Sequence, residues 1–183
     1  MERLFIGGLA ALYKEPNPLK ENGITHVLSV LDFEIGDAAK EWGKQGIKHL
    51  HVRLEDSPEE NLLKWFERTN EFIDEGIEGG ELLDISMNVL DLADRFVGAV
   101  FVHCAMGVSR STTVVCAYLM WKFGKDRDQA LEWLREGRER CFPNFGFWEQ
   151  LGVYEDVLKC KTEGEREEVV KRWARGKYPP TKL

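Results

Sequence analysis

The sequence predicts an α/β fold with a mostly parallel central sheet flanked by helices. Ile24 to Leu31 (ITHVLSVL) is apolar on both faces, as a strand is when helices cover both sides of its sheet. Helical patterns lie between successive strand-like runs, the order that builds parallel βαβ units. Lastly, Val100-Phe101-Val102 ends abruptly at His103-Cys104, Gly107 supplies a turn, and from Arg110 the apolar spacing becomes helical. A strand, a tight loop and a helix in succession place a ligand site at the carboxyl edge of the sheet.

Leu4 to Leu9 reads as a short strand entering a glycine turn, and Leu19 to Asn22 as a brief helix closed by Gly23. After the Ile24–Leu31 strand, Asp37 to Gln45 is a short helix stopped by Gly46, and Ile47 to Leu54 alternates as a strand. His49 and His51 share the polar face of that strand with Arg53. No third ligand accompanies them, so a solvated face is expected rather than a metal site. His26 reads as an interior or strand-end histidine. Ser57 and Glu60 form a capping box with Pro58 at the first helical position, so a helix is expected directly after Asp56. Leu62, Phe66, Ile73 and Ile77 continue that helix as one stripe. Glu81 to Val97 spaces Leu82, Ile85, Val89, Leu92 and Phe96 as a further amphipathic helix. Ser111 to Phe123 is an apolar helix stopped by Gly124; Asp126 caps another through Arg138, and Phe147 to Lys159 forms the next. Lys161 to Leu183 is charged and mixed in sign, with a helix expected around Val169, Val170 and Trp173 that frays at Lys177 to Pro180.

With 183 residues and 43% hydrophobic content, the chain can bury one real core. A net charge of −7 gives no footprint for a nucleic-acid surface. No apolar stretch reaches the ~20 residues of a membrane span, and no charged-then-apolar leader opens the chain. A soluble protein of the cytoplasm is expected, with the nucleus as a second compartment. Cys104, Cys116, Cys141 and Cys160 form neither C-x-x-C pairs nor a histidine-spaced set, so no metal or other cofactor is expected. Cys116 falls within an apolar helix as a small core residue.

The chemistry concentrates at Cys104 to Arg110 (CAMGVSR). A tight loop running into a helix N-terminus gathers backbone N–H groups around one point and attracts an oxyanion. In that field a thiol ionises below its free value of ~8.5, so Cys104 reads as a nucleophile at the floor of an anion site. The planar fork of Arg110 suits two phosphoryl oxygens at once. Ser111 is placed to donate to the sulfur, and His103 to order the loop.

His103, Cys104, Gly107, Arg110 and Ser111 together resemble the phosphate loop of cysteine-dependent protein phosphatases, and Ala105-Met106-Gly107-Val108-Ser109 is most similar to the dual-specificity branch. The resemblance runs from about Leu4 to Leu158 and is interrupted only by residues 81–97. It implies a three-layer protein-phosphatase fold, with a catalytic domain over 1–160 and a tail over 161–183. Ala105 to Ser109 would bind substrate oxygens, and Asp56, on a loop between a strand and a helix, would be the general acid. Glu55 is the neighbouring alternative. Counting back from Cys104 by the family's usual spacing would land near Asp74 instead. Local context selects Asp56.

Within the family the chain looks like a fungal-type branch linked to maturation of the large ribosomal subunit. Members of that branch carry an added cysteine-rich zinc-binding domain, and these 183 residues contain no such module. The resemblance implies hydrolysis of phosphotyrosine and phosphoserine/threonine in protein substrates, with a ribosomal or pre-ribosomal partner. The neutral residues Ala105, Met106 and Val108 suit a singly phosphorylated side chain better than a phosphoinositide. A second reading from the same residues is a phosphatase-fold scaffold that binds a protein or ribonucleoprotein partner, with catalysis secondary.

Overall fold

The structure, a computed structural model, describes residues 3–78 and 98–177. The helix expected over 81–97 and the tail beyond Lys177 lie outside these residues. Four parallel strands form one sheet in the order β1-β4-β2-β3: β1 (Leu4–Gly8), β2 (Ile24–Leu31), β3 (Lys48–Arg53) and β4 (Ala99–Cys104). The interior strands β4 and β2 are buried almost throughout, which is why they read as continuous apolar runs.

Alternation along β4 divides the core into two layers. Val100, Val102 and Cys104 join the larger cluster with α3 (Phe66–Glu78), α4 (Arg110–Phe123), α5 (Arg127–Gly137) and α6 (Phe145–Lys159). Ala99 and Phe101 face the opposite side, with Leu19 of α1 (Pro18–Glu21) and Trp42 of α2 (Gly36–Lys44). The fold is therefore α/β with helices on both faces of a central sheet, as expected. Within the tail, Thr162 forms a capping box with Glu165 that opens α7 (Glu163–Arg172). Val169, Val170 and Trp173 pack against the large cluster.

Two local expectations fail. The strand at Leu4–Gly8 is as expected, but Gly7 and Gly8 stay within it and the chain turns through a 3₁₀ segment over Leu9–Tyr13 instead. More consequentially, no helix starts at Pro58: the chain stays irregular until a 3₁₀ turn at Leu63–Trp65 leads into α3. Gln150 of α6 explains the delay. Its Oε1 accepts the amides of Leu62 (2.8 Å) and Leu63 (2.9 Å), and its Nε2 donates to the Glu60 carbonyl (2.8 Å). The donors that a helix start leaves open are thus satisfied from another helix. The Ser57 hydroxyl turns instead to the Glu59 carboxylate.

Gly146 lets α6 approach this segment, because a Cβ at that position would collide with the backbone of Pro58. The segment carrying Asp56 is therefore pressed against the start of α6.

Candidate active site

β4 delivers Cys104 to the carboxyl edge of the sheet, beside Gly8 of β1. The loop then turns through Gly107 at φ +68°, a left-handed conformation where a Cβ would also strike the backbone of Gly7. Ala105, Val108 and Gly107 use their carbonyls to tie the loop outward. These accept from the Leu9 amide (3.0 Å), the Phe142 amide (2.8 Å) and Arg138 Nε (3.0 Å). With the carbonyls turned away, loop amides are free to face inward.

Cys104 Sγ lies 3.2 Å from the Gly107 amide and 3.3 Å from Ser111 Oγ. Burial alone would raise this thiol. The Ser111 hydroxyl and the amides of Ser111, Val108 and Gly107 outweigh it, so Cys104 ionises below the ordinary thiol value. Cys116 and Cys141 show the contrast: burial dominates there and pushes both upward. Among the buried cysteines, Cys104 alone is shifted toward the thiolate.

Arg110 is buried. Its Nη1 donates to the Leu54 carbonyl (3.0 Å) and to Asp32 Oδ1 (3.3 Å), which fixes the guanidinium from two strand ends. Arg110 Nε has no hydrogen-bond partner among the described residues, and Asp56 Oδ2 lies 3.8 Å away. A buried donor left open at the end of the loop that begins with Cys104 is what an incoming oxyanion would satisfy.

Asp56 reaches the loop. Its Oδ1 accepts from Ser109 Oγ (2.7 Å) and Asn144 Nδ2 (2.8 Å), while the Asn144 amide donates to Ser109 Oγ (3.0 Å). Asn144 also caps α6 by accepting from the Phe147 amide at 3.0 Å. Asp74, reached by family spacing, instead pairs with Lys122 (2.7 Å) and Tyr118 (3.1 Å) on the helical side. The structure thus brings Asp56, which local sequence context favoured, and not Asp74, to the loop.

His103 lies fully buried behind the loop, with Nδ1 3.4 Å from the Cys104 carbonyl and Nε2 2.7 Å from Ser29 Oγ. Ser29 Oγ also meets His49 Nε2 at 2.9 Å. Donation from His103 Nδ1 makes Nε2 the acceptor, so Ser29 donates to His103 and accepts from His49. Burial pushes both histidines down to about 4, so this chain is neutral at physiological pH.

The solvated-face expectation for His49 and His51 is thereby corrected. Trp42 packs edge-on against His49, and His51 Nε2 bonds the Leu31 carbonyl (3.1 Å). His26 is buried as expected, with Nδ1 on Thr25 Oγ1 (2.9 Å) and Nε2 lacking a partner among the described residues.

Sequence reasoning gave no role at the site to Asp32, Asn144 or Gln150 and did not find the Ser29–His49 support. Asp32 carried a usable signal, since it too sits at the carboxyl end of a predicted strand. Met106 lies at the rim, 65% exposed. No group of three or more metal-ligating side chains occurs among the described residues. Nor is any described helix long and apolar enough to cross a membrane.

A buried cysteine hydrogen-bonded to loop donors, a fixed arginine with an open donor and an aspartate at the rim make up the candidate site. Residues 78–157 match the family described as Dual specificity phosphatase, catalytic domain. A probable dual specificity protein phosphatase of Dictyostelium discoideum is 35% identical over 159 residues, covering 87% of this chain and 34% of that protein. Tyrosine-protein phosphatase YVH1 of Saccharomyces cerevisiae is 30% identical over 155 residues, covering 84% of this chain and 42% of that protein. The Yvh1 phosphatase domain from Chaetomium thermophilum superposes with a TM-score of 0.68 at 34% identity, covering 84% of this chain and 90% of that one.

The chain belongs to the dual-specificity phosphatase family. Within it, the similarity to YVH1 and to the fungal Yvh1 domain places the chain with the fungal-type branch. It spans less than half the length of the two curated relatives.

Proposed function

We propose that this chain hydrolyses phosphotyrosine and phosphoserine/threonine monoesters in proteins through a cysteinyl-phosphate intermediate. The observation that supports this most is the pairing of a hydrogen-bonded, low-pKa Cys104 with the open, buried Nε of Arg110 in one loop. In the first step the Cys104 thiolate attacks phosphorus and the bond to the leaving oxygen breaks. Arg110 and the amides from Ala105 to Arg110 hold the equatorial oxygens while charge redistributes. Asp56 donates a proton to the departing alkoxide or phenoxide.

In the second step a water attacks the cysteinyl phosphate and gives its proton to Asp56. The S–P bond breaks, inorganic phosphate leaves, and Ser111 Oγ stabilises the released thiolate. Ser109 and Asn144 hold Asp56 toward the loop between turnovers. The scheme uses this chain's side chains and water alone.

Cys104→Ser should abolish turnover of an aryl phosphate while the protein stays folded by circular dichroism. Persistent turnover in that variant would overturn the proposal. The proposal includes phosphoprotein substrates and, from the branch resemblance, a pre-ribosomal partner reached in the cytoplasm or nucleus.

A further inference from the structure

The exposed apolar side chains are unevenly placed. Of the seven large hydrophobic residues left open to solvent among the described residues, four, Phe33 (43%), Met106 (65%), Phe142 (65%) and Phe145 (53%), lie at the phosphate loop or one residue from a contact to it or to its arginine; the other three are Tyr13, Trp121 and Phe123. Phe33 follows Asp32, which holds Arg110. Met106 belongs to the loop itself. The Phe142 amide donates to the Val108 carbonyl, and Phe145 follows Asn144, which bonds Ser109 and Asp56.

Three separate parts of the chain therefore present apolar side chains around one anion site, which is not what scattered surface hydrophobics do. The phosphoryl group must descend to a sulfur that is almost fully buried. Whatever polypeptide carries it has to lie across this rim, so the rim's occupant is the phosphorylated segment itself.

The charges near the rim are mixed in sign: Asp32 and Asp56 are anionic, and Arg138 keeps its positive charge while donating to the Gly107 and Met106 carbonyls, so neither sign dominates. Arg135 donates to the Cys141 carbonyl and lies over the Phe142 ring, 5.5 Å from its centroid. Apolar contact remains as the main source of selectivity, and aromatic rings supply large areas of it.

Resting on the phosphatase reading above, we infer that the site selects phosphorylated segments whose neighbouring side chains are large and apolar. The test compares phosphopeptides sharing one phosphotyrosine, flanked by Leu and Phe, by Gly and Ser, or by Glu, with an aryl phosphate as reference. Leu/Phe flanks should raise kcat/KM by about tenfold or more over Gly/Ser flanks. In a Phe142→Ser/Phe145→Ser double variant that ratio should shrink to about twofold or less.

Equal rates across the panel, preference for Glu flanks, or an undiminished ratio in the double variant would each overturn the inference. Fluorescence anisotropy with the Cys104→Ser protein reads the same ranking as affinity without turnover. Absence of aryl phosphate hydrolysis by the unaltered protein would therefore remove the phosphatase reading, and the binding ranking would still decide the question of flanking residues.

Discussion

Two segments meet at this site, and they are held there by opposite means. Around Cys104 Sγ the donors are local: they come from Gly107, Val108 and Ser111, within seven residues of the sulfur, while Leu9, Phe142 and Arg138 hold the loop carbonyls. Segment 55–62 has no such autonomy. Asp56 is held by Ser109 and Asn144, 53 and 88 residues away, and the chain beyond it by Gln150 through contacts of 87 to 90 residues. The donors to Cys104 are thus local in sequence, whereas the placement of Asp56 is a property of the packed domain. Damage to the loop should act on every substrate equally, and damage to the segment should depend on what the substrate or the fold demands.

The largest effect after loss of the nucleophile is expected at Arg110. Arg110→Lys keeps the charge but loses the fork, and kcat should fall by about a thousandfold for all phosphomonoesters, a scale set by loss of one transition-state donor. A loss confined to poor leaving groups would contradict the division of labour drawn above. Asp56→Asn should behave in the complementary way. Turnover of alkyl phosphates should fall by about 10²–10³, and that of a nitrophenyl phosphate far less, because a good leaving group needs no proton. Equal losses across a leaving-group series would remove Asp56 from the acid role and reopen Glu55.

Ser111→Ala tests the local half by pH. The Ser111 hydroxyl favours the thiolate, so its removal raises the Cys104 pKa and moves the acidic limb of the kcat/KM profile to higher pH. On the acidic side activity should drop by about tenfold for every pH unit the limb moves, and it should recover as pH rises. An unmoved limb would mean that the loop amides alone set the thiol.

Gln150→Ala tests the distant half by stability. It leaves the buried amides of Leu62 and Leu63 without an acceptor, a cost of about 1–3 kcal/mol. The melting temperature should fall by several degrees while the Cys104 pH limb stays in place.

The legible parts of the sequence share a reason. Strands β2 and β4 were readable because burial on both faces leaves a continuous apolar run, and the nucleophile loop because His103, Cys104, Gly107, Arg110 and Ser111 are neighbours in covalent order. The Ser57–Glu60 signal was misleading for an equally physical reason. A capping box is a local preference, and Gln150 of another helix satisfied the amides leading into α3 instead. His49 and His51 looked solvent-facing because the alternation of an edge strand does not reveal the Trp42 of α2 that covers one of them.

By itself the sequence placed the donors to Cys104: a thiol in a turn that opens a helix has its own successors as neighbours, and the rest of the chain, through Leu9, Phe142 and Arg138, then holds the loop carbonyls outward. Local sequence context favoured Asp56, and the tertiary structure decided what holds each carboxylate near or away from the loop. Asp56 is retained at the rim by Ser109 and Asn144, Asp32 anchors Arg110 from the end of β2, and Asp74 is drawn off to Lys122. Those choices depend on how helices pack over a finished sheet, because the residues involved share no local geometry until the core has formed.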